Sequence, residues 1–170
     1  NEGSIVLDNN FKFNHDTLDQ GANLELAINF TNINDKEYDS SGYYISIKNL
    51  TTGNIDTVKN GVIGKLEPES FILINDTIST RNINGNFELL LAVNDEKKIR
   101  EYTYDNNYFS KPFYVKRDSR NPLLDVVFDG RHILDNDIVS PNTSILMTAN
   151  DDNPHLALSD PSTIWATLVK

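Results

Sequence analysis

Three histidines, His15, His132 and His155, are the side chains best suited to acid–base work near neutral pH, because imidazole titrates there. They lie far apart in the sequence, and none belongs to the H-x-x-H kind of pair that holds zinc. No Gly-rich phosphate loop and no G-x-S-x-G nucleophile elbow occurs. The chain has 0 Cys, which removes disulfides, thiolate metal sites and Cys nucleophiles together. Carboxylates are so plentiful that no single pair stands out, and general acid–base catalysis needs a cleft and a shifted pKa, which composition does not show. The ordinary role of an unpaired histidine is a surface or turn residue. The catalytic expectation is therefore none.

Oxygen-rich loops suit a hard cation, and calcium is the metal they favour. Asp135-Asn136-Asp137 and Asn150-Asp151-Asp152-Asn153 offer Asp135, Asp137, Asp151 and Asp152 as ligands, with Asp160 nearby. The EF-hand spacing is missing, with neither its Gly at the sixth position nor its Glu at the twelfth. Asp and Asn also make turns for reasons of their own, which is the competing reading of the same residues. No other cofactor is expected.

Aromatic residues offer a third chemistry. Tyr43 and Tyr44, Tyr102 and Tyr104, Tyr108 and Trp165 are candidates for a sugar-stacking platform, and strand alternation turns one of each adjacent pair outward. The plainer reading is cross-strand packing, with Tyr102-Thr103-Tyr104 stapling a corner.

The 170 residues carry 15 basic and 25 acidic side chains, a formal charge of −10 and a pI near 4.6. That balance argues against nucleic acid or an anionic membrane as partner. No run approaches the roughly 18 apolar residues a spanning helix needs, so membrane insertion is not expected. Hydrophobic content of 38% supports a folded core. The acidic residues are spread through turns and outward strand positions, as on a solvated surface that discourages edge-to-edge pairing.

The elements that must position these groups follow a period of two. Leu24, Leu26, Ile28 and Phe30 alternate with polar residues over Asn23 to Thr31, predicting a half-buried antiparallel strand. The same pattern recurs at Gly42–Leu50 and Asn86–Asn94. Phe71–Ile78 and Phe109–Val115 are rich in aromatic and β-branched residues. Ile5–Leu7 and Phe11–Phe13 predict a short, broken first strand. Turns are predicted at Asn32-Ile33-Asn34-Asp35, Thr52-Gly53-Asn54, Lys59-Asn60-Gly61, Asn82-Ile83-Asn84-Gly85 and Asp105-Asn106-Asn107. About seven strands at this spacing is the signature of two sheets packed face to face.

Arg117-Asp118-Ser119-Arg120-Asn121-Pro122 is polar and ends in Pro, so residues 1–117 form one unit and 118–122 a linker. Residues 123–170 read as a partial second β-domain. Its strands are predicted at Leu123–Phe128, His132–Leu134, Ile145–Ala149 and Thr163–Val169, with turns at Asp129-Gly130 and Asp135-Asn136-Asp137. The last strand runs to the end of the sequence, as in a fragment of a longer protein.

The first unit resembles CARDB-type modules of bacterial surface proteins. The matching residues are Asp19-Gln20-Gly21 leading into Leu24–Phe30 and Asn32, Leu66-Glu67-Pro68, Asn84-Gly85-Asn86-Phe87, and Val93-Asn94-Asp95 followed by Glu101 and Asp105-Asn106-Asn107. Glu69-Ser70 stands where a Gly is usual, and Asn94-Asp95 replaces a commoner Val-Asp. The second unit resembles a β-module of large secreted Bacteroidota proteins that often carry a gingipain-type peptidase domain upstream and a type IX secretion signal downstream. Asn121–Gly130, His132–Ser140 and Leu156–Ser162 carry that likeness. Asp16-Thr17-Leu18, Asp56-Thr57-Val58 and Asp76-Thr77-Ile78 match the Asp-(Ser/Thr)-apolar pattern that looks like the O-glycosylation site of exported Bacteroidota proteins, making Thr17, Thr57 and Thr77 candidate modification sites.

The resemblance implies an all-β chain: an immunoglobulin-like β-sandwich followed by the start of a second β-domain. It implies an extracellular, non-catalytic spacer or interaction module, whose partners are other domains of the same polypeptide and, further out, type IX secretion components or surface glycan. A glycan- or protein-binding adhesion module and an accessory domain of a gingipain-type peptidase are the alternatives.

Overall fold

The computed structural model describes residues 1–156 together with Trp165 and Thr167. The chain divides into two compact units, Asn1–Arg117 and Asp118–Lys170.

The first unit is an immunoglobulin-like β-sandwich. Its strands are β1 (Gly3–Val6), β2 (Lys12–Phe13), β3 (Thr17–Asp19), β4 (Asn23–Asn32), β5 (Ser41–Asn49), β6 (Ile55–Ile63), β7 (Phe71–Ser79), β8 (Gly85–Val93) and β9 (Tyr108–Lys116). In one sheet β4 pairs with β7 along one side and with β1 and then β2 along the other. The second sheet runs β3-β9-β8-β5-β6. Every pairing is antiparallel except β3 with β9, which is parallel. Helical structure among the described residues is confined to one 3-10 turn, Asp105–Asn107.

The alternation read from the sequence is the packing. Leu24, Leu26, Ile28 and Phe30 of β4 face Ile45 of β5 and Leu89, Leu91 and Val93 of β8, all essentially excluded from water. Each such side chain contributes about 1.5–3 kcal/mol by leaving water. Rings cross between the sheets: Phe11 meets Phe109 edge-on at 5.7 Å, and Phe13 meets Phe113 at 6.4 Å.

Two strands escape the sequence pattern. β6 runs straight through Lys59-Asn60-Gly61, where a turn is predicted. The ladder shifts between Ile45↔Lys59 and Ser46↔Thr57, so Val58 is an unpaired bulge residue. Gly61 is there to make room, since a Cβ at that position would lie 2.5 Å from the Tyr43 ring. β3 is only three residues long and lies between exposed polar neighbours, so it carries almost no periodic signal.

The second unit contains an antiparallel ladder of β10 (Leu123–Phe128) and β11 (Ile145–Asn150), from Leu123↔Asn150 to Phe128↔Ile145. The strand predicted at His132–Leu134 does not form. Asp129 and Gly130 both take positive φ (48° and 78°), and Phe128 bridges back to Arg131. The Leu134 amide then donates to the Asp137 carboxylate at 2.8 Å, which commits that segment to a turn. Asp129 closes the base of the connection, accepting from the Ser144 amide (2.8 Å) and the Thr143 hydroxyl (2.9 Å). Most of the predicted strand Thr163–Val169, and Asp160, lie outside the described residues.

Candidate functional site

The histidines do not converge into a site. All three are exposed, and His132 Nδ1 lies 3.5 Å from the Asp125 carboxylate, an exposed pair. The four candidate calcium ligands occupy turns. Asp137 caps Leu134, Asp151 accepts from the Asn153 amide at 2.9 Å, and Asp152 pairs with Arg120 at 2.6 Å. Asp135 is exposed. Among the described residues no group of three or more His, Asp or Glu side chains is placed to hold a metal ion. Thr17, Thr57 and Thr77 are all exposed on strands, and the Thr57 hydroxyl lies 3.2 Å from that of Ser46.

The first unit instead buries two carboxylates at one end of the sandwich. Glu101 is 8% exposed and accepts from four neutral donors: the Gly3 amide (2.8 Å), the Tyr38 hydroxyl (3.1 Å), and the side-chain amides of Asn94 (2.6 Å) and Asn107 (2.8 Å). Glu2, 9% exposed, accepts from the Tyr102 amide (2.7 Å) and the Asn106 side chain (3.3 Å). Asn94 adopts a left-handed φ of 52° and closes a ring with Ile99 in both directions, donating at 2.8 Å and accepting at 3.1 Å. These bonds tie β1 to the β8–β9 loop across 98 residues of chain. Burial, reinforced by the Glu101 charge, pushes the Tyr38 hydroxyl well above its ordinary pKa. Gly3 admits no side chain, because a Cβ there would lie 2.1 Å from the Phe30 ring. The buried set does structural work: it satisfies polar groups that would each cost about 1–3 kcal/mol unpaired. The sequence signalled Asn94, Glu101 and Asn107 only through the CARDB resemblance, and Asp105-Asn106-Asn107 also as a turn, with nothing to mark them as a buried set.

A second feature faces water. On the outer side of the five-stranded sheet, Tyr44 of β5, Ala92 of β8 and Tyr108 of β9 stand in one row across the strands. The two tyrosines flank the small Ala92 as walls flank a floor, and the trough continues over Leu90, with a volume of about 600 Å³. At its end the β8–β9 loop brings carboxylates to both walls. Tyr44 donates to Glu96 at 3.1 Å, and Tyr108 donates to Asp95 at 2.8 Å. Those bonds raise both phenol pKa values. The other candidate aromatics are elsewhere. Tyr43 turns inward against Gly61, Tyr104 lies under the Lys97 ammonium at 4.9 Å, and Tyr102 is exposed outside the trough; Trp165, in the second unit, is exposed.

No protein-family model matches the chain, and no curated relative matches it. Solved structures do. A CARDB domain from Pyrococcus furiosus, crystallised in complex with di-metal ions, is similar with a TM-score of 0.53 and 17% identity, covering 68% of this chain and 86% of that one. The fold is CARDB-like. A solution structure of the same Pyrococcus domain gives a TM-score of 0.52 and 17% identity, over 67% of this chain and 92% of that one. A beta-glucosidase from Listeria innocua is matched over 67% of this chain but 16% of its own length, at 9% identity and a TM-score of 0.49. At 17% identity the likeness to the Pyrococcus domain concerns the fold alone. The CARDB-like unit contains no helix long and apolar enough to cross a membrane, and neither do the other described residues.

Proposed function

We propose that the chain is a non-catalytic structural module of a large exported bacterial protein, a rigid CARDB-like sandwich, residues 1–117, joined through residues 118–122 to the start of a second β-domain, residues 123–170. The observation that carries this reading is the use made of the buried carboxylates. Glu2 and Glu101 are surrounded by neutral donors of the chain itself, and they fasten the first strand to a distant loop. Groups arranged this way hold a shape. In this reading the module stands at the cell surface as a type IX secretion substrate and keeps a neighbouring domain, such as a gingipain-type peptidase, away from the membrane. Incubating the intact chain with peptide and glycoside substrates tests it: no turnover is expected, and measurable turnover lost on denaturation overturns it.

Exposure of Thr17, Thr57 and Thr77 supports O-glycosylation in an exporting host. Intact mass of the protein from that host equal to the bare polypeptide removes the proposal. Calcium at Asp135, Asp137, Asp151 and Asp152 is kept as a proposal for the second unit. It requires a melting temperature that rises with calcium and falls with chelator. A second functional reading, an adhesion module that binds a ligand, is favoured by the tyrosine-walled trough.

A further inference from the structure

We propose that the trough between Tyr44 and Tyr108 binds a neutral saccharide, seating one pyranose ring over Ala92. The proposal gives the adhesion reading its site and ligand class, and it stands whether or not the module is also a spacer.

Register sets the width. Tyr44 pairs with Ala92 and Ala92 with Tyr108, so the tyrosines are two strand spacings apart, roughly 10 Å between Cα atoms. The two rings bound the trough on either side, and the small Ala92 keeps its floor clear. The hydroxyl bonds to Glu96 and Asp95 hold the walls in place before any ligand arrives, which lowers the ordering cost of binding.

Polarity selects the ligand. Asp95 spends one oxygen on Tyr108 and keeps the other as an acceptor at the rim. The nearby ammonium, Lys98, is already engaged by Glu96. Hydroxyls of Ser46, Thr57 and Ser110 line the trough beyond that row. A rim dominated by acceptors wants a donor-rich ligand, and aromatic walls want one with apolar faces. A sugar ring has both. An acidic sugar or a phosphate is disfavoured by Asp95, Glu96 and a net charge of −10. An extended peptide finds no strand to join at β5 or β8, each paired on both sides, and could add only along the outer side of β9 before Tyr114, beside the trough and not in it.

The test is a titration of the intact, isotope-labelled chain with neutral gluco-, manno- and galacto-oligosaccharides, followed by amide chemical shifts. Oligogalacturonate and an arginine-containing peptide serve as controls. Shifts confined to the surroundings of residues 44–46, 90–96 and 108–110 are expected with a neutral saccharide. Tyr108→Ala is expected to weaken binding by about fivefold or more, the loss of one ring contact. Tyr108→Phe, which keeps the ring and frees Asp95, retains most of it and guards against a folding artefact. Absence of shifts with every neutral saccharide at millimolar concentration overturns the proposal. So does stronger perturbation of the same residues by the acidic oligosaccharide or the peptide.

Discussion

The Lys59 ammonium of β6 lies 3.2 Å from the Asp76 carboxylate of β7, joining the two sheets at their open edge. Both residues occupy inward positions of their strands: Lys59 is paired with buried Ile45, and Asp76 lies in line with buried Ile74 and Ile78. The opposite edge has the same device. Lys111 of β9, in line with buried Phe113 and Val115, lies 3.2 Å from Asp16 and 5.5 Å from the centre of the Phe13 ring. Inward charges on edge strands are a known defence against pairing with another chain.

Asp76→Val is expected to cost little, about 0.2–1 kcal/mol in a urea melt, because the pair is partly exposed and screened. The double variant Lys59→Val and Asp76→Val is expected to be at least as stable yet to self-associate, read by sedimentation velocity. A double variant that stays monomeric at high concentration contradicts the edge role.

Glu101→Ala is expected to destabilise the first unit by about 3–5 kcal/mol, since it strands four buried donors at once. Glu101→Gln should cost less, because Oε1 still receives three of them while the new amide opposes the Gly3 N–H. Chemical denaturation followed by far-UV circular dichroism measures both. An alanine variant within 1 kcal/mol of the parent, on the order of one ordinary hydrogen bond, would show the set to be dispensable.

Tyr38 makes stability fall at high pH. Burial chiefly, then the Glu101 charge and hydrogen bond, raise its pKa in the folded state. Its contribution is therefore complete below the unfolded value, about 10, and is lost as pH rises through the folded value. Of the 7 tyrosines, Tyr38 should ionise last, together with loss of β structure. Tyrosinate absorbance against pH, compared with Tyr38→Phe, tests this; a Tyr38 step that precedes unfolding would refute it.

Asp129 acts in the acid range. The Ser144 amide first, and the Thr143 hydroxyl second, hold its pKa below the usual carboxylate value. The stabilisation is present above the unfolded pKa, about 3.9, and disappears as pH falls through the lower folded value. The Ser144 amide shift should follow this titration, and Asp129→Asn should abolish it. A pH-independent Ser144 signal would exclude the contact.

Wherever one face of a strand is apolar, the sequence already shows the element. Leu24 to Phe30 and Phe87 to Val93 are legible because a period of two survives any neighbouring context. β6 was hidden because its inward positions hold Lys59 and Gly61, a charge that seals a seam and a space for Tyr43, and neither is hydrophobic. The same applies to the buried carboxylates, since Glu101 is polar and two of its donors, Gly3 and Tyr38, come from far along the chain. For the trough, alternation turned Tyr44 outward but could not pair it with Tyr108. That needs the register of three strands.

The parallel pairing of β3 with β9 suits that side of the sheet to resist a pull along the strands. Its ladder spans Thr17↔Tyr114 to Asp19↔Lys116, flanked by the Tyr114 amide donating to Asp16 (2.8 Å) and the Gln20 amide donating to Lys116 (2.9 Å). A pull that draws Asp16 toward its own upstream side and Arg117 toward its downstream side slides the two strands along each other. The bonds are then loaded side by side in shear, and must yield together where an antiparallel hairpin would unzip one bond at a time. Under such a pull the three residues of parallel strand would resist in shear before β3 and β9 part.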